Sequence, residues 1–156
     1  MSPSMPTLWI DADAAPRAVK EIVFRASERL AIQVVLVANS SMAVPRSQRI
    51  RQVVVGRGFD VADDYIVEHC AAGDIVITAD IPLAAQVVEK GALVLKPRGE
   101  VLDADNVRQR LAMRDFMDEM RAAGMAGGGP PPFGNADRAR FANALDRMLT
   151  ARLERR

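Results

Sequence analysis

Apolar positions along the chain gather into five short runs, separated by stretches where they recur at helical spacing. The runs are residues 7–11 (TLWID), 33–38 (QVVLVA), 52–55 (QVVV), 74–79 (DIVITA) and 92–95 (ALVL). Each is nearly continuous in Val, Ile and Leu, the pattern of strands buried on both faces of a parallel sheet. In 16–30, Val19, Ile22, Val23, Ala26 and Leu30 fall on one helical face. A second helix, about 61–71, turns Ala62, Ile66 and either His69 or Cys70 inward. Residues 82–90 predict a short helix with Pro82 in its first turn and Gly91 as its stop. This alternation predicts an α/β three-layer domain on a mainly parallel five-stranded sheet with right-handed crossovers.

Beyond the last strand, Asp103 or Asp105 can cap a long amphipathic helix to about residue 123, carrying Val107, Leu111, Phe116 and Met120. A Gly/Pro-rich loop, 124–135, precludes regular structure and reads as a surface connection, a lid or a partner-binding segment. The final helix, 136–153, presents Phe141, Leu145, Met148 and Leu149 to the body. The methionines at 113, 117, 120 and 148 follow helical spacing and read as core or interface filler. These two helices pack either on the domain or on a second subunit, so a homodimer is left open. With residues 1–6 as a flexible lead, the 156 residues make one domain.

Composition narrows the class. Apolar residues are 49% and charged residues 26%, ordinary for a soluble protein, and no run reaches the roughly 20 apolar residues of a membrane span. "MSPSMP" has no basic segment followed by an apolar one, so it does not read as a signal peptide, and Cys70 alone makes no disulfide framework. The expectation is a cytoplasmic protein. Net charge is +1, which gives no global basic field for nucleic acid. Arginine nonetheless dominates the cations, and it crowds one stretch. "NSSMAVPRSQRIRQ" (39–52) is too polar and too long for an ordinary βα connection, and it carries Arg46, Arg49 and Arg51. Arg57 follows in "GRGF", so residues 44–58 hold four arginines and no carboxylate. That is either a solvated basic loop or an arm that contacts RNA phosphates.

The acids can be sorted by a rule of parallel sheets: ligands collect beyond the carboxyl ends of strands, where strand order reverses. Asp11 and Asp13 follow the first strand, Asp80 follows the fourth, and Asp60, Asp63 and Asp64 open the helix after the third. If strands one and four are neighbours, Asp11, Asp13 and Asp80 converge, with Asp63 or Asp64 approaching from the side. Carboxylates so crowded raise each other's pKa unless a cation joins them. Oxygen-only donors select Mg²⁺ or Mn²⁺, and such ions support phosphodiester hydrolysis. The alternative is structural: Asp13, Asp60 and Asp80 precede helices as potential N-caps, and Asp63 and Asp64 suit a helix's first turn. Asp11 lies too far before its helix to cap it.

Other chemistries find little footing. "GRGFDV" lacks the third glycine of a dinucleotide fingerprint, and no phosphate-loop motif is present. His69 is the only histidine, which removes a His-based zinc site and leaves a Ser–His–Asp triad unsupported.

Four segments carry a resemblance: "WIDADAAPRAVKEIVFRA", "VVVGRGFDVADDYIVEHC", "DIVITADIPLAAQVVEKGALVLKPRGEVLD" and "GGGPPPFGNADRARFANALD". Together, over about residues 7–150, they resemble the bacterial YaiI/YqxD family of uncharacterised proteins with PIN-like domains. The resemblance implies a PIN-like fold in which acids after the first and fourth strands and on an intervening helix form the metal site of related ribonucleases. It nominates Asp11 and Asp13, Asp63 or Asp64, and Asp80. The chain departs from the family's usual "DADACP" by carrying Ala15 in place of cysteine. A thiol role there is therefore absent, and an acid-and-metal mechanism does not need one. The functional expectation is a Mg²⁺- or Mn²⁺-dependent ribonuclease. Its alternatives are a non-catalytic RNA- or nucleotide-binding protein and a protein-interaction module whose partner is unknown.

Overall fold

The computed structural model describes residues 5–58, 60–124 and 131–154, the side chains of the last two excepted. Among them the chain forms β1 (Leu8–Asp11), α1 (Arg17–Leu30), β2 (Val34–Ala38), β3 (Ile50–Val54), α2 (Val61–His69) and β4 (Ile75–Ile77). It continues as α3 (Ile81–Glu89), β5 (Leu93–Leu95), β6 (Val101–Leu102), α4 (Val107–Ala122) and α5 (Asn135–Glu154). The sheet order is β3-β2-β1-β4-β5-β6. All pairings are parallel except the last, where β6 runs antiparallel to β5. The sheet is therefore mixed and six-stranded, a correction to the five strands expected. A two-residue strand has no periodicity to detect. It exists because the chain reverses after β5, with Gly99 N–H donating to Lys96 O at 2.9 Å and Lys96 N–H to Glu100 O at 2.8 Å. Gly99 turns at φ +100°, and a Cβ there would lie 2.8 Å from the Arg140 backbone, so the turn needs glycine.

Alternate side chains of each strand feed two cores. Leu8, Ile10, Leu36 and Ile77 pack with Val19 and Val23 of α1 and with Phe141, Leu145 and Leu149 of α5. Trp9, Val35, Val37 and Val76 pack on the opposite face with Ile66 of α2, Leu83 and Val87 of α3, and Val107 of α4. This gives the three layers, and it settles α5 on the body of its own chain. In α2 the inward residue at its end is Cys70, while His69 is exposed and stacked on Tyr65 at 3.9 Å.

Two expectations change. Residues 1–4 of the expected flexible lead lie outside the described residues, whereas Met5 packs on the first core and Pro6 is buried. The helix over α4 buries only Val107; Leu111 and Met120 are half-buried, and Phe116 is 54% exposed. At about 100° per residue, Phe116 lies half a turn round the helix from Val107, so one neighbour cannot cover both. Of the Gly/Pro-rich loop, residues 125–130 lie outside the described residues, and its end is fixed. Arg98 donates to Pro131 O and to Asp137, and lies over the Phe133 ring.

Candidate functional site

Strand order reverses between β1 and β4, and their carboxyl ends open side by side. Asp11 closes β1, half-buried at the edge of the sheet. Asp80 stands at the N-cap of α3, where its Oδ1 accepts the Leu83 N–H at 3.0 Å. Thr78, 2% exposed at the end of β4, ties the two together. Its hydroxyl donates to Asp11 Oδ2 at 3.0 Å and accepts the Asp80 N–H at 3.0 Å. Asp63, in the first turn of α2, approaches the Asp80 carboxyl from the side.

The electrostatics of the three acids follow from this crowding. Burial raises the Asp11 carboxyl; the Thr78 hydroxyl opposes that, and the charges of Asp80 and Asp13 add to it. Asp63 is pushed up to about 7, first by burial, then by the charges of Asp80 and Asp11, with Asp60 contributing least. A proton on Asp63 relieves part of this repulsion, which is why its carboxyl holds one far above the ordinary carboxylate range.

The remaining candidates divide. Asp13 is exposed, and its Oδ2 accepts the Asn39 N–H at 2.7 Å, so it braces the end of β2. It does not cap α1, whose N-cap is Pro16. Asp64 is exposed and contributes nothing to the shifts of Asp11 or Asp63. Asp60 occupies the N-cap position of α2 at φ 66° without a side-chain cap. The acids that meet are thus Asp11, Asp63 and Asp80, with Asp13 at their edge.

The arginines are not gathered round them. A parallel β2–β3 pair forces residues 39–49 to travel from the carboxyl edge of the sheet back to its amino edge. Arg49 lies at that far edge, where its carbonyl accepts the Val34 N–H at 2.7 Å. Arg46 is exposed on the crossover, and Arg51 is exposed on the edge strand β3. Only Arg57, just beyond β3, sits at the acid-bearing edge. No ion pair occupies any of the four among the described residues. Sequence reasoning missed other cations at this edge: Lys96 and Arg98, in "KPRGE" directly after β5. Their signal was position, a strand's carboxyl end. Thr78 was also missed, because a threonine ending an apolar run reads as an ordinary strand former.

Whether the acids suit a cation can be tested on the donor set. It is all oxygen, carries mutual repulsion, and has no imidazole or thiolate nearby, which fits Mg²⁺ or Mn²⁺. Among the described residues no three Asp, Glu, His or Cys side chains form a ready-made cage. Mg²⁺ does not require one, since it is commonly held by one or two carboxylates and keeps several waters.

Comparison with known proteins gives a consistent result. The family described as "Uncharacterized BCR, YaiI/YqxD family" matches residues 9–151. A UPF0178 protein of Shewanella sp. (strain MR-4) is 58% identical over 142 residues, 91% of this chain and 95% of that protein. A UPF0178 protein of Bordetella petrii is 58% identical over 144 residues, 92% and 96% of the two chains. One from Geobacter metallireducens is 58% identical over 143 residues, 92% of each. No solved structure matches the chain. Among the described residues no helix is long and apolar enough to cross a membrane.

Proposed function

The chain belongs to the YaiI/YqxD family, and from its acid cleft we propose a PIN-like, Mg²⁺- or Mn²⁺-dependent ribonuclease that hydrolyses phosphodiester bonds. The observation that carries this reading is the convergence of Asp11, Asp63 and Asp80 at the sheet's switch point, with Asp63 pushed up to about 7 by burial and by its neighbours' charges. Such repulsion is costly to build and has no use in holding the fold. A bound divalent cation would polarise a phosphoryl oxygen and lower the pKa of a bound water. Asp11 and Asp80, each steadied by Thr78, would hold it. Asp13 adds negative charge at the rim. Asp63, beside Asp80 in the same cleft, would orient an attacking water and take up its proton. Arg57 is the one arginine of the basic stretch at the right edge to meet a phosphate. The PIN-like assignment is itself an analogy of fold and adds no chemistry of its own.

A second reading draws on two hydrogen bonds. Asp80 is engaged as an N-cap and Asp13 by the Asn39 N–H, as expected of acids that serve structure in a non-catalytic RNA- or nucleotide-binding protein. Two measurements separate the readings. Mn²⁺ titrated into the wild type should raise its Tm by several degrees and leave Asp11→Asn unmoved; equal responses remove the cation site. Single-stranded RNA incubated with Mn²⁺ should be cut by the wild type and not by Asp80→Asn, which keeps the cap. Binding without cutting by the wild type favours the second reading, and equal cutting by both proteins sinks the nuclease.

A further inference from the structure

Lys20 reaches the carboxyl edge of the sheet from α1, in the layer opposite to that of Asp63. Its Nζ donates to Ala12 O, the carbonyl between Asp11 and Asp13, at 3.4 Å and lies 3.8 Å from the Met42 sulfur. Both acceptors are neutral, and both contacts are long. An ammonium has three N–H groups to place, and no carboxylate pairs with this one among the described residues. Nor is the charge absorbed by the acids, since it lowers neither Asp11 nor Asp63. Lys20 therefore keeps a positive charge at the rim of the acid cleft.

Beside that ammonium a groove of about 580 Å³ runs between α1 and residues 42–45 of the β2–β3 crossover. Phe24, Met42, Val44 and Pro45 give it an apolar wall. Arg17 and Glu21, its other charges, pair with each other at 3.3 Å, which leaves Lys20 as the unpaired charge of the lining among the described residues. The wall is pinned. The Gln52 amide accepts the Met42 N–H at 3.0 Å and donates to Met42 O at 2.8 Å, while Asn39 is fixed by Asp13 and by Gly56 O. An apolar slot with a free cation at its mouth matches a flat apolar ring that carries an anion, and a nucleotide has that form. An acidic peptide would leave the wall bare, and a hydrophobic one would desolvate an unpaired ammonium.

We propose that this groove receives an unpaired nucleotide of single-stranded RNA, with Lys20 on its phosphate and its base against Phe24 and Met42. Under the ribonuclease reading of the acid cleft, on which this rests, the groove holds the strand beside the bond to be cut. The carboxylates of the cleft repel an approaching phosphate, and Lys20 supplies an attraction next to them. A base so placed cannot be paired, so the groove selects single strands over duplex. Lys20 acts on the binding of the strand and takes no part in the hydrolysis itself.

Fluorescence anisotropy of the full chain with a labelled single-stranded RNA, in EDTA so that nothing is cut, tests the groove apart from the metal chemistry. Lys20→Met keeps the aliphatic stem and should weaken binding about 10-fold or more, lowering the slope of log affinity against log salt by about 0.7. Lys20→Arg keeps the charge and should restore most of the affinity. Phe24→Leu, with unchanged helical circular dichroism, should weaken binding about 5-fold and leave that slope alone. A blunt duplex of the same sequence should bind more weakly than the single strand. A wild type that does not bind the strand, a Lys20→Met variant with the wild-type affinity or slope, an indifferent Phe24→Leu, or a duplex bound as tightly would each overturn the proposal. The groove and the nuclease fail separately. RNA bound in this manner but left uncut with Mn²⁺ removes the nuclease and keeps the groove. Mn²⁺-dependent cutting with an unchanged KM in Lys20→Met keeps the nuclease and removes the groove.

Discussion

Asp74 and Asp63 are eleven residues apart and are answered in opposite ways. Asp74 precedes β4 at the amino edge of the sheet and accepts three N–H groups: Thr7 at 3.0 Å, the Trp9 indole at 3.0 Å and Ala71 at 2.9 Å. Asp63 sits toward the carboxyl edge, where burial and the charges of Asp80, Asp11 and Asp60 push it up to about 7. A carboxylate surrounded by donors holds elements together, and it ties the start of β1 to the entry of β4. A carboxylate surrounded by carboxylates stores repulsion that only a proton or a cation relieves. The same residue type thus marks the scaffold at one edge of the sheet and the candidate chemistry at the other.

The largest test of that contrast is Asp74→Ala. It strands the buried Trp9 indole N–H and two backbone N–H groups, at a cost of about 2–3 kcal/mol. For a chain of this size that corresponds to a fall in Tm of roughly 5–10 °C. Thermal melts of Asp74→Ala beside Asp63→Ala read the difference directly, and Asp63→Ala should lie close to the wild type or above it at pH 8. If the two fall equally, the acid cluster is structural too.

A smaller effect separates the two duties of Asp80. Asp80→Ala loses the bond from the Leu83 N–H and should cost about 1 kcal/mol, the usual value of an N-cap. Asp80→Asn keeps an acceptor for that N–H and removes only the charge facing Asp63 and Asp11. It should therefore match or exceed the wild type in urea denaturation. A loss as large in Asn as in Ala would mean that the charge itself stabilises the fold.

Much of this layout was legible in the chain. The apolar runs located β1 to β5 within a few residues, and the strand rule brought Asp11 and Asp80 to adjoining strands. Gly91 stops α3 at φ 95° as its position implied. What escaped had physical reasons. The strand β6 is two residues long, and Thr78 does its work through a hydroxyl that a hydrophobic pattern does not see. The four arginines look like one arm in one dimension, but a parallel crossover separates its ends by the length of the sheet. The choice between Asp63 and Asp64 depended on helix phase, which is fixed only when α2 docks through Ile66.

The smallest predicted effect is the pH dependence of Asp63. Its ordinary pKa of 3.8 is raised to about 7 in the folded chain. Between those values the folded protein keeps a proton that the unfolded chain has released, so stability falls as pH rises through the window. The loss is complete above about 7 and absent below about 4. Asp63 is only partly buried, so solvent screening reduces the effect to below about 1 kcal/mol. That is no more than about 2–4 °C in Tm for this chain length. Asp63→Asn cannot ionise and should lack this component. Melting curves from pH 5 to 8 should show the wild type falling behind Asp63→Asn as pH rises, while Asp74→Asn, less stable throughout, keeps the wild-type slope. Parallel curves for the wild type and Asp63→Asn would show that the cluster carries no unrelieved charge, and the contrast between the two edges of the sheet would lose its electrostatic basis.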